Sequence, residues 1–246
     1  MLNRLVLALA LCCAVLLPAA AAPPVNVYTS ANFAPLMLGN GRGIYPDLID
    51  YLNARQPGGL QFKLVYLPRK RLQVKLDEGS IDGIVVGMMP EWVNDNAQTR
   101  FLWTAPFAAD RFVLVSGTHR HLKPQLPASL DGATVGVTQG YVYPVIDEWL
   151  TRNGMRRSEG MSEQVNMEKV LLDRVDGAVV AESMARYYLR SQRVNTRVQL
   201  EVLPGPATER RFLVPHAQAA VFEQIAPVIK KLRDDPEWQR LAKAYY

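Results

Sequence analysis

Cysteine and histidine are scarce in this chain. Both cysteines, Cys12 and Cys13, lie inside one apolar run near the N-terminus, and His119, His121 and His216 complete the histidines. The rest of the chain therefore offers no disulfide, no thiolate metal site and no cysteine nucleophile. It also has no phosphate-binding loop and no Gly-x-Ser-x-Gly nucleophile motif. We expect neither a metal nor a cofactor, and we assign no catalytic residue.

Long apolar runs are equally few. The longest covers residues 5–17, follows the short positive segment Asn3-Arg4, and ends at Pro18 and the small residues Ala19-Ala20-Ala21. This arrangement is typical of a secretory signal peptide, and the run is shorter than the about 20 residues that span a bilayer. We predict a signal peptide over residues 1–21, no lipid anchor, no stable membrane insertion, and a location in the periplasm.

The charge of the chain has only a small excess of one sign. It has 28 Lys and Arg against 23 Asp and Glu, a net charge of +5, and its basic residues form no continuous stripe. We therefore expect no nucleic-acid partner. The residues after the signal peptide are numerous enough to build two small lobes on core burial alone.

One pattern occurs twice along the chain. Residues 76–86 and residues 171–180 both resemble the end of an amphipathic helix, an Asp-Gly turn and a short apolar strand. The turns are Asp82-Gly83 and Asp176-Gly177. The repeat indicates two similar α/β lobes, with a ligand cleft between them. The alternative is that Asp-Gly before an apolar strand is simply a common turn sequence and does not indicate a repeat.

The segments around each turn predict alternating strands and helices. In the first half, strands are expected at 25–29, 61–66 and 84–86 and helices at 45–53 and 68–78. In the second half, strands are expected at 133–138, 177–181 and 198–202 and helices at 142–153, 165–173 and from 184. Helices over 217–232 and 237–245 are expected to return to the first lobe.

The fold class predicted from this order is α/β, with two lobes that each contain a mostly parallel sheet flanked by helices. The apolar stretches 112–115 and 212–214 are the expected crossings between lobes. Lobe 1 is then discontinuous, with residues 22–112 plus 213–246, and lobe 2 covers residues 113–212.

Motifs spread along the chain resemble one protein family. They include Gly43-Ile44-Tyr45-Pro46-Asp47-Leu48, Pro68-x-x-Arg71, Thr104-Ala105-Pro106-Phe107 and Gly136-Val137-x-x-Gly140-Tyr141. Together they resemble the family 3 periplasmic solute-binding proteins of the polar amino acid type. The resemblance implies the type II periplasmic binding fold, in which two α/β lobes joined by two crossing strands close on a ligand.

Candidate binding residues follow from where strands end, because ligands of open α/β sheets lie beyond the carboxyl ends of the strands. Phe33 and Met88 follow strands of lobe 1, and Gly140 and Tyr141 follow the first strand of lobe 2. Residues 140–142 are expected to open a helix whose free N–H groups favour an anion. An ordinary strand-to-helix turn and core packing of the rings remain alternatives.

The resemblance assigns roles to two further residues. Glu182 stands where amino-acid binders of this family place an acidic residue that pairs with the α-amino group, although an acid at a helix N-terminus would look the same. The carboxylate-binding Arg of such proteins is missing near Trp92, and Arg71 or Arg100 could replace it. Arg71 could instead lie on the solvated face of a helix.

The function predicted from these features is the capture of a small polar ligand, an amino acid or a related amine or carboxylate, by closure of two lobes. The expected partner is an inner-membrane ABC permease, and the expected state is a monomer. Two alternatives remain open. One is an enzyme on the same fold, similar to cyclohexadienyl dehydratase, and the other is a ligand-sensing partner of a membrane kinase.

Overall fold

The computed structural model describes residues 23–245. The predicted signal peptide lies outside the described residues. Within residues 23–245, no helix combines the length and the hydropathy that crossing a membrane requires.

The first part of the described chain alternates strands and helices, as predicted. Its elements are β1 (Val25–Thr29), α1 (Ile44–Arg55), β2 (Phe62–Tyr66), α2 (Arg69–Asp77), β3 (Gly83–Met88), β4 (Leu102–Trp103) and β5 (Ala108–Asp110).

The middle part repeats this alternation. Its elements are β6 (Phe112–Gly117), β7 (Thr134–Thr138), α3 (Pro144–Arg152), β8 (Arg156–Gly160), α4 (Glu163–Leu171), β9 (Gly177–Ala181), α5 (Glu182–Gln192) and β10 (Val198–Val202). The chain ends with β11 (Thr208–Val214), α6 (Ala219–Lys231) and α7 (Pro236–Ala242).

The strands form two separate sheets. The first has the order β2-β1-β3-β11-β4, with β5 paired to β11, and the second has the order β10-β6-β9-β7-β8. In the first sheet β1 runs parallel to β2 and β3, and in the second β7 runs parallel to β8 and β9. The protein is therefore a two-lobed α/β structure with a mixed, partly parallel sheet in each lobe.

The repeated Asp-Gly pattern marks equivalent places in the two sheets. Each turn leads into a fully buried strand, β3 after Asp82 and β9 after Asp176. Both strands lie inside their sheets, because β3 pairs with β1 and β11, and β9 pairs with β6 and β7. A strand covered on both faces needs a continuous apolar run, and this is what each Asp-Gly turn precedes.

Apolar side chains cover both faces of each sheet. Successive residues of β11 point to opposite faces, so Phe212 packs with Tyr45 and Ile225 while Leu213 packs with Leu72 on the other side. Ile225 belongs to α6, so the C-terminal helices complete the core of the first lobe.

The chain passes between the sheets twice. It leaves the first sheet after β5 and returns after β10, so the crossings fall at residues 110–112 and 202–208. The first crossing reaches the expected stretch 112–115 at its first residue, whereas the second ends at Thr208, so the expected stretch 212–214 lies inside β11 and not between the sheets. The predicted domain boundaries at 112/113 and 212/213 fall at the start of β6 and inside β11, and they stay predictions.

Candidate functional site

A cavity lies between the two sheets, at the ends of their parallel strands. The first lobe lines it with Thr29, Ser30, Ala31, Phe33, Tyr45, Arg69, Val86, Gly87, Met88, Trp92 and Arg210. The second lobe lines it with Phe112, Gly140, Tyr141, Val142 and Glu163. Both lobes therefore contribute charged and aromatic groups to one space, as expected for a cleft at the carboxyl ends of strands.

Arg210 is the most deeply buried cation of this cavity. It lies on β11 and is only 7% exposed. Within the described residues its guanidinium makes one side-chain hydrogen bond, from Nη1 to the Tyr45 hydroxyl at 3.4 Å, and no ion pair. A buried guanidinium with five donors and so few partners is costly unless another group binds it.

Gly87 allows this arrangement. Its φ of 80° lies in the left-handed region, and a Cβ at this position would stand 1.8 Å from the Tyr45 hydroxyl oxygen. The missing side chain lets Tyr45 reach the backbone of β3 and so accept from Arg210. Gly87 therefore positions the Tyr45–Arg210 pair.

Arg69 brings a second guanidinium to the cavity. It is the first residue of α2, and its Nη2 donates to the Trp92 carbonyl oxygen at 2.8 Å. Its Nη1 is buried and has no hydrogen-bond partner. The Trp92 ring meets Arg210 as well, with the guanidinium carbon 5.6 Å from the ring centroid. Trp92 thus stands between two cations that lack an anionic partner.

The Tyr141 side chain is the common neighbour of the charged groups. The charges of Arg69, Arg210 and Glu163 all affect the pKa of its hydroxyl, and burial raises that pKa above the usual value. The hydroxyl is therefore neutral and able to donate a proton in a hydrogen bond. Within residues 23–245 it makes no hydrogen bond to protein, which leaves it available to a ligand.

Glu163 is a buried carboxyl group on the second lobe. It is the first residue of α4, is 2% exposed, and accepts a hydrogen bond from the Ala181 N–H at 3.1 Å. Burial raises its pKa to about 7, which the Ala181 N–H and the charge of Arg210 only partly oppose. The carboxyl group can therefore change its charge near neutral pH.

This arrangement suits an acidic ligand. Two guanidinium groups without ion-pair partners face the cavity, and Glu163, the one carboxyl group among the described lining residues, has its pKa raised to about 7 by burial. A ligand carboxylate would offset the cost of burying these cations. Within the described residues no group of three His, Asp or Glu side chains could hold a metal ion.

Four of the six residues chosen from the sequence line this cavity: Phe33, Met88, Gly140 and Tyr141. Phe33 packs against the cores of both lobes, and Met88 is the last residue of β3. Their role in binding stays a prediction, because the structure contains no ligand.

The helix expected to open at residues 140–142 begins later. Gly140 has a φ of 76° and forms a turn in which the Tyr141 N–H donates to the Thr138 carbonyl at 3.1 Å. The helix α3 begins only at Pro144, and the Asp147 carboxylate accepts from the Tyr143 N–H at 2.9 Å. The predicted start of the helix is therefore wrong, whereas ligand binding at Gly140 stays a prediction.

Glu182 lies outside the cavity. It begins α5, and its carboxylate accepts from Arg186 Nε at 2.7 Å and from Arg111 Nε. The hydrogen bond from Arg111 holds the pKa of this carboxyl below its usual value. The expectation that Glu182 pairs with a ligand ammonium is corrected accordingly, because the side chain is already engaged by two guanidinium groups beside the crossing at residues 110–112.

Arg71 and Arg100 do not replace the missing arginine. Arg71 is exposed on α2 and does not line the cavity. Arg100 donates to the Val93 carbonyl at 2.9 Å and pairs with Asp77 at 3.4 Å on the surface. The arginines that line the cavity are Arg69 and Arg210. The histidines also lie elsewhere, since none of them lines the cavity.

Sequence reasoning missed Arg69, Arg210, Glu163 and Tyr45. Arg69 was visible only as part of a basic cluster, and the helical repeat alone did not show which of its members turns inward. Arg210 precedes an apolar strand end, which is a signal for burial that its pairing with Arg211 concealed. Glu163 could have been found only if β8 had been recognised as a strand, because Glu163 lies shortly after the carboxyl end of that polar edge strand.

No protein-family model and no curated protein matches this sequence. Solved structures do match over nearly the whole chain. An ancestral arginine-binding protein bound to arginine is 17% identical, with a TM-score of 0.72 over 91% of this chain and 98% of that one. A Salmonella typhimurium periplasmic binding protein with high arginine specificity is 15% identical, with a TM-score of 0.71 over 92% and 100%.

An ancestral amino acid-binding protein described as a precursor of cyclohexadienyl dehydratase is 16% identical. Its TM-score is 0.68 over 91% of this chain and 95% of that one. The chain has the two-lobed fold of the periplasmic binding proteins. In this fold the cavity described above lies between the two lobes, and residues of both lobes line it.

Proposed function

We propose that this chain is an exported solute-binding protein that captures a small organic ligand bearing a carboxylate. The observation that carries the proposal is the pair of guanidinium groups, Arg69 and Arg210, that face the interlobe cavity without an ion-pair partner. A binding protein needs such groups unpaired in its free state, since the ligand completes their interactions.

Capture follows from contacts to both lobes. The first lobe supplies Arg69 and Arg210, and the second supplies Tyr141 and Glu163. A ligand that contacts both sets binds the closed arrangement better than the open one and so shifts the population toward it. Closure also excludes water, which strengthens each charge-assisted hydrogen bond.

The proposal extends to export and delivery. The N-terminal segment has the features of a signal peptide, and the solved structures with this fold are described as periplasmic or amino acid-binding proteins. We propose a periplasmic location and delivery of the ligand to an inner-membrane ABC importer. Copurification of the loaded protein with a permease, but not of the ligand-free protein, would support the partner.

The binding proposal is tested by a thermal-shift screen of protein that has been unfolded and refolded to remove carried ligand. The panel contains amino acids, polyamines, dicarboxylates and prephenate-like acids. A ligand at about 100 times its Kd adds about 2.7 kcal/mol of stability. We expect hits among compounds with a carboxylate and none among the polyamines. A blank result for every carboxylate would contradict the proposal.

Two substitutions on one helix give the matched comparison. Arg69→Gln removes a guanidinium of the cavity, whereas Arg71→Gln removes an exposed one two residues later. Loss of a buried charge-assisted pair costs at least about 2 kcal/mol, or roughly 30-fold in affinity. We expect that loss for Arg69→Gln and an unchanged affinity for Arg71→Gln. Equal effects of the two substitutions would place the ligand elsewhere.

An enzyme remains a second candidate because of Glu163. A buried carboxyl group whose pKa is raised to about 7 has the protonation behaviour of a general acid. If the protein eliminates water from a hit compound, the hit disappears on incubation and a product lighter by one water appears by mass spectrometry. Glu163→Gln would then retain binding and lose turnover. Recovery of the hit compound unchanged would leave binding as the function.

A further inference from the structure

Acidic ligands with and without an amine would make different demands on the charged groups of the cavity. An amino acid presents an ammonium group that needs an anionic partner inside the cleft. Glu163 is the only carboxyl group among the described residues that line the cavity. Its charge state therefore decides which class of acid fits.

Arg69 and Arg210 both line the cavity and both contact Trp92, through different parts of that residue. Arg69 donates to the Trp92 carbonyl at 2.8 Å, whereas Arg210 lies over the Trp92 ring at 5.6 Å. Both guanidinium groups interact electrostatically with the Tyr141 hydroxyl. A ligand beside Tyr141 can therefore present one acidic group to each guanidinium, and two acidic groups are needed to neutralise both.

The surroundings of Glu163 decide its charge. Asp110 on β5 opposes ionisation, while Arg210 on β11 and the Ala181 N–H on β9 favour it. The Tyr141 and Tyr143 hydroxyls, from the loop before α3, are buried and neutral. Ligand carboxylates held by Arg69 and Arg210 would offset the one cation that favours the charged form. Burial then leaves the carboxyl group neutral.

We infer that the cavity takes a small dicarboxylic acid without an amine, with one carboxylate on Arg69, one on Arg210, and the Glu163 carboxyl group donating a hydrogen bond. This inference rests on the proposed function and names the ligand class of the same site. It sets this chain apart from the arginine-binding proteins of similar structure, whose ligand is cationic.

The test uses pairs of probes that differ only in the amine. Glutarate is compared with L-glutamate, and succinate with L-aspartate, by isothermal titration of the protein expressed from its full-length gene. The inference predicts that the diacid of at least one pair binds tenfold or more tightly than its amino acid, because Glu163 must ionise in a dry cavity to pair with an ammonium. Tighter binding of the amino acids in both pairs would overturn it.

The pH dependence separates the two states of Glu163. From about pH 6.5 to about pH 8.5 the affinity for the diacid should fall roughly 20-fold, because the carboxyl group must first take up a proton. Glu163→Gln should lose this pH dependence, because its amide donates a hydrogen bond without having to take up a proton. An affinity for the amino acid that rises with pH, with Glu163→Gln abolishing its binding, would show that Glu163 binds an ammonium as a carboxylate and would overturn the inference.

The failure of the inference is distinguishable from the failure of the proposed function. If neither member of either pair binds, but Arg69→Gln weakens another hit of the screen and Arg71→Gln does not, the ligand class is wrong and the binding function stands. If no carboxylate compound binds at all, both are wrong.

Discussion

The Glu163 carboxyl group makes the stability of the protein depend on pH in a direction opposite to that of a salt-bridged carboxylate. Its pKa rises from an ordinary value of 4.5 to about 7 in the folded protein, chiefly because of burial. Between these two values the folded protein holds one more proton than the unfolded chain. The free energy of unfolding therefore falls as the pH rises, by about 1.4 kcal/mol per pH unit for one group.

Glu163→Gln removes this dependence while it keeps the size of the side chain and an oxygen that can accept from the Ala181 N–H. At about pH 5 the wild-type carboxyl is already protonated in the folded state, so the variant and the wild type should differ little. At about pH 8 the wild type carries a buried charge, and the variant should gain about 2 to 3 kcal/mol relative to its difference at pH 5.

Urea denaturation of both proteins across this pH range measures the effect, since all other titrating groups cancel in the comparison. Glu159→Gln provides the control, because Glu159 on β8 is exposed and its charge stays in solvent. Parallel stability curves for the wild type and Glu163→Gln would refute the reasoning, because they would show that Glu163 does not retain its proton on folding.

The remaining predictions concern two positions. Gly87→Ala should lower the free energy of unfolding by more than about 1 kcal/mol and weaken ligand binding, because its Cβ would displace the Tyr45 hydroxyl. Gly59→Ala is the control: the residue has a similar φ but open space around it, so this substitution should lower stability alone. Urea denaturation measures the stability effect, and titration with the ligand measures the binding effect. Glu182→Gln should leave the affinity within about threefold, since the side chain lies outside the cavity. A larger loss on titration would return Glu182 to the site.

The fold was predictable because burial leaves a periodic record. The apolar runs after Asp82 and Asp176 became the central strands β3 and β9, and the helices over residues 44–55 and 69–77 lie where the pattern predicted them. Central strands must be apolar on both faces, and this constraint is visible in one sequence.

The edge strands β2 and β10 were predicted, but β4, β5 and β8 left no such record. The strand β8 has the sequence Arg-Arg-Ser-Glu-Gly and is mostly exposed, so it lacks the alternation by which strands are recognised. The strands β4 and β5 were missed because they have only two and three residues, which is too short to show an alternating pattern. Edge strands are held by backbone pairing to their neighbours, which side-chain patterns do not report.

The site was only partly predictable, because its charges belong to residues whose orientation depends on tertiary packing. Tyr141 and Met88 were expected in the cleft because they lie at or shortly after the carboxyl ends of strands, and both line the cavity. Arg69 and Arg71 lie two residues apart on one helix, so only the position of α2 decides that the first faces the cavity. Glu182 was chosen because the family resemblance places an acidic residue there, but its carboxylate pairs with Arg111 and lies outside the cavity.

The central claim is that a small acid binds between the lobes and contacts both. Hydrogen exchange of the protein with and without the tightest-binding compound of the screen tests it most directly, since binding slows exchange where it restricts local opening. The account predicts slower exchange on both sides of the cavity, around residues 86–92 and 208–212 in the first lobe and residues 138–143 and 162–166 in the second. Protection confined to one lobe, or centred on Glu182 and Arg186, would contradict it.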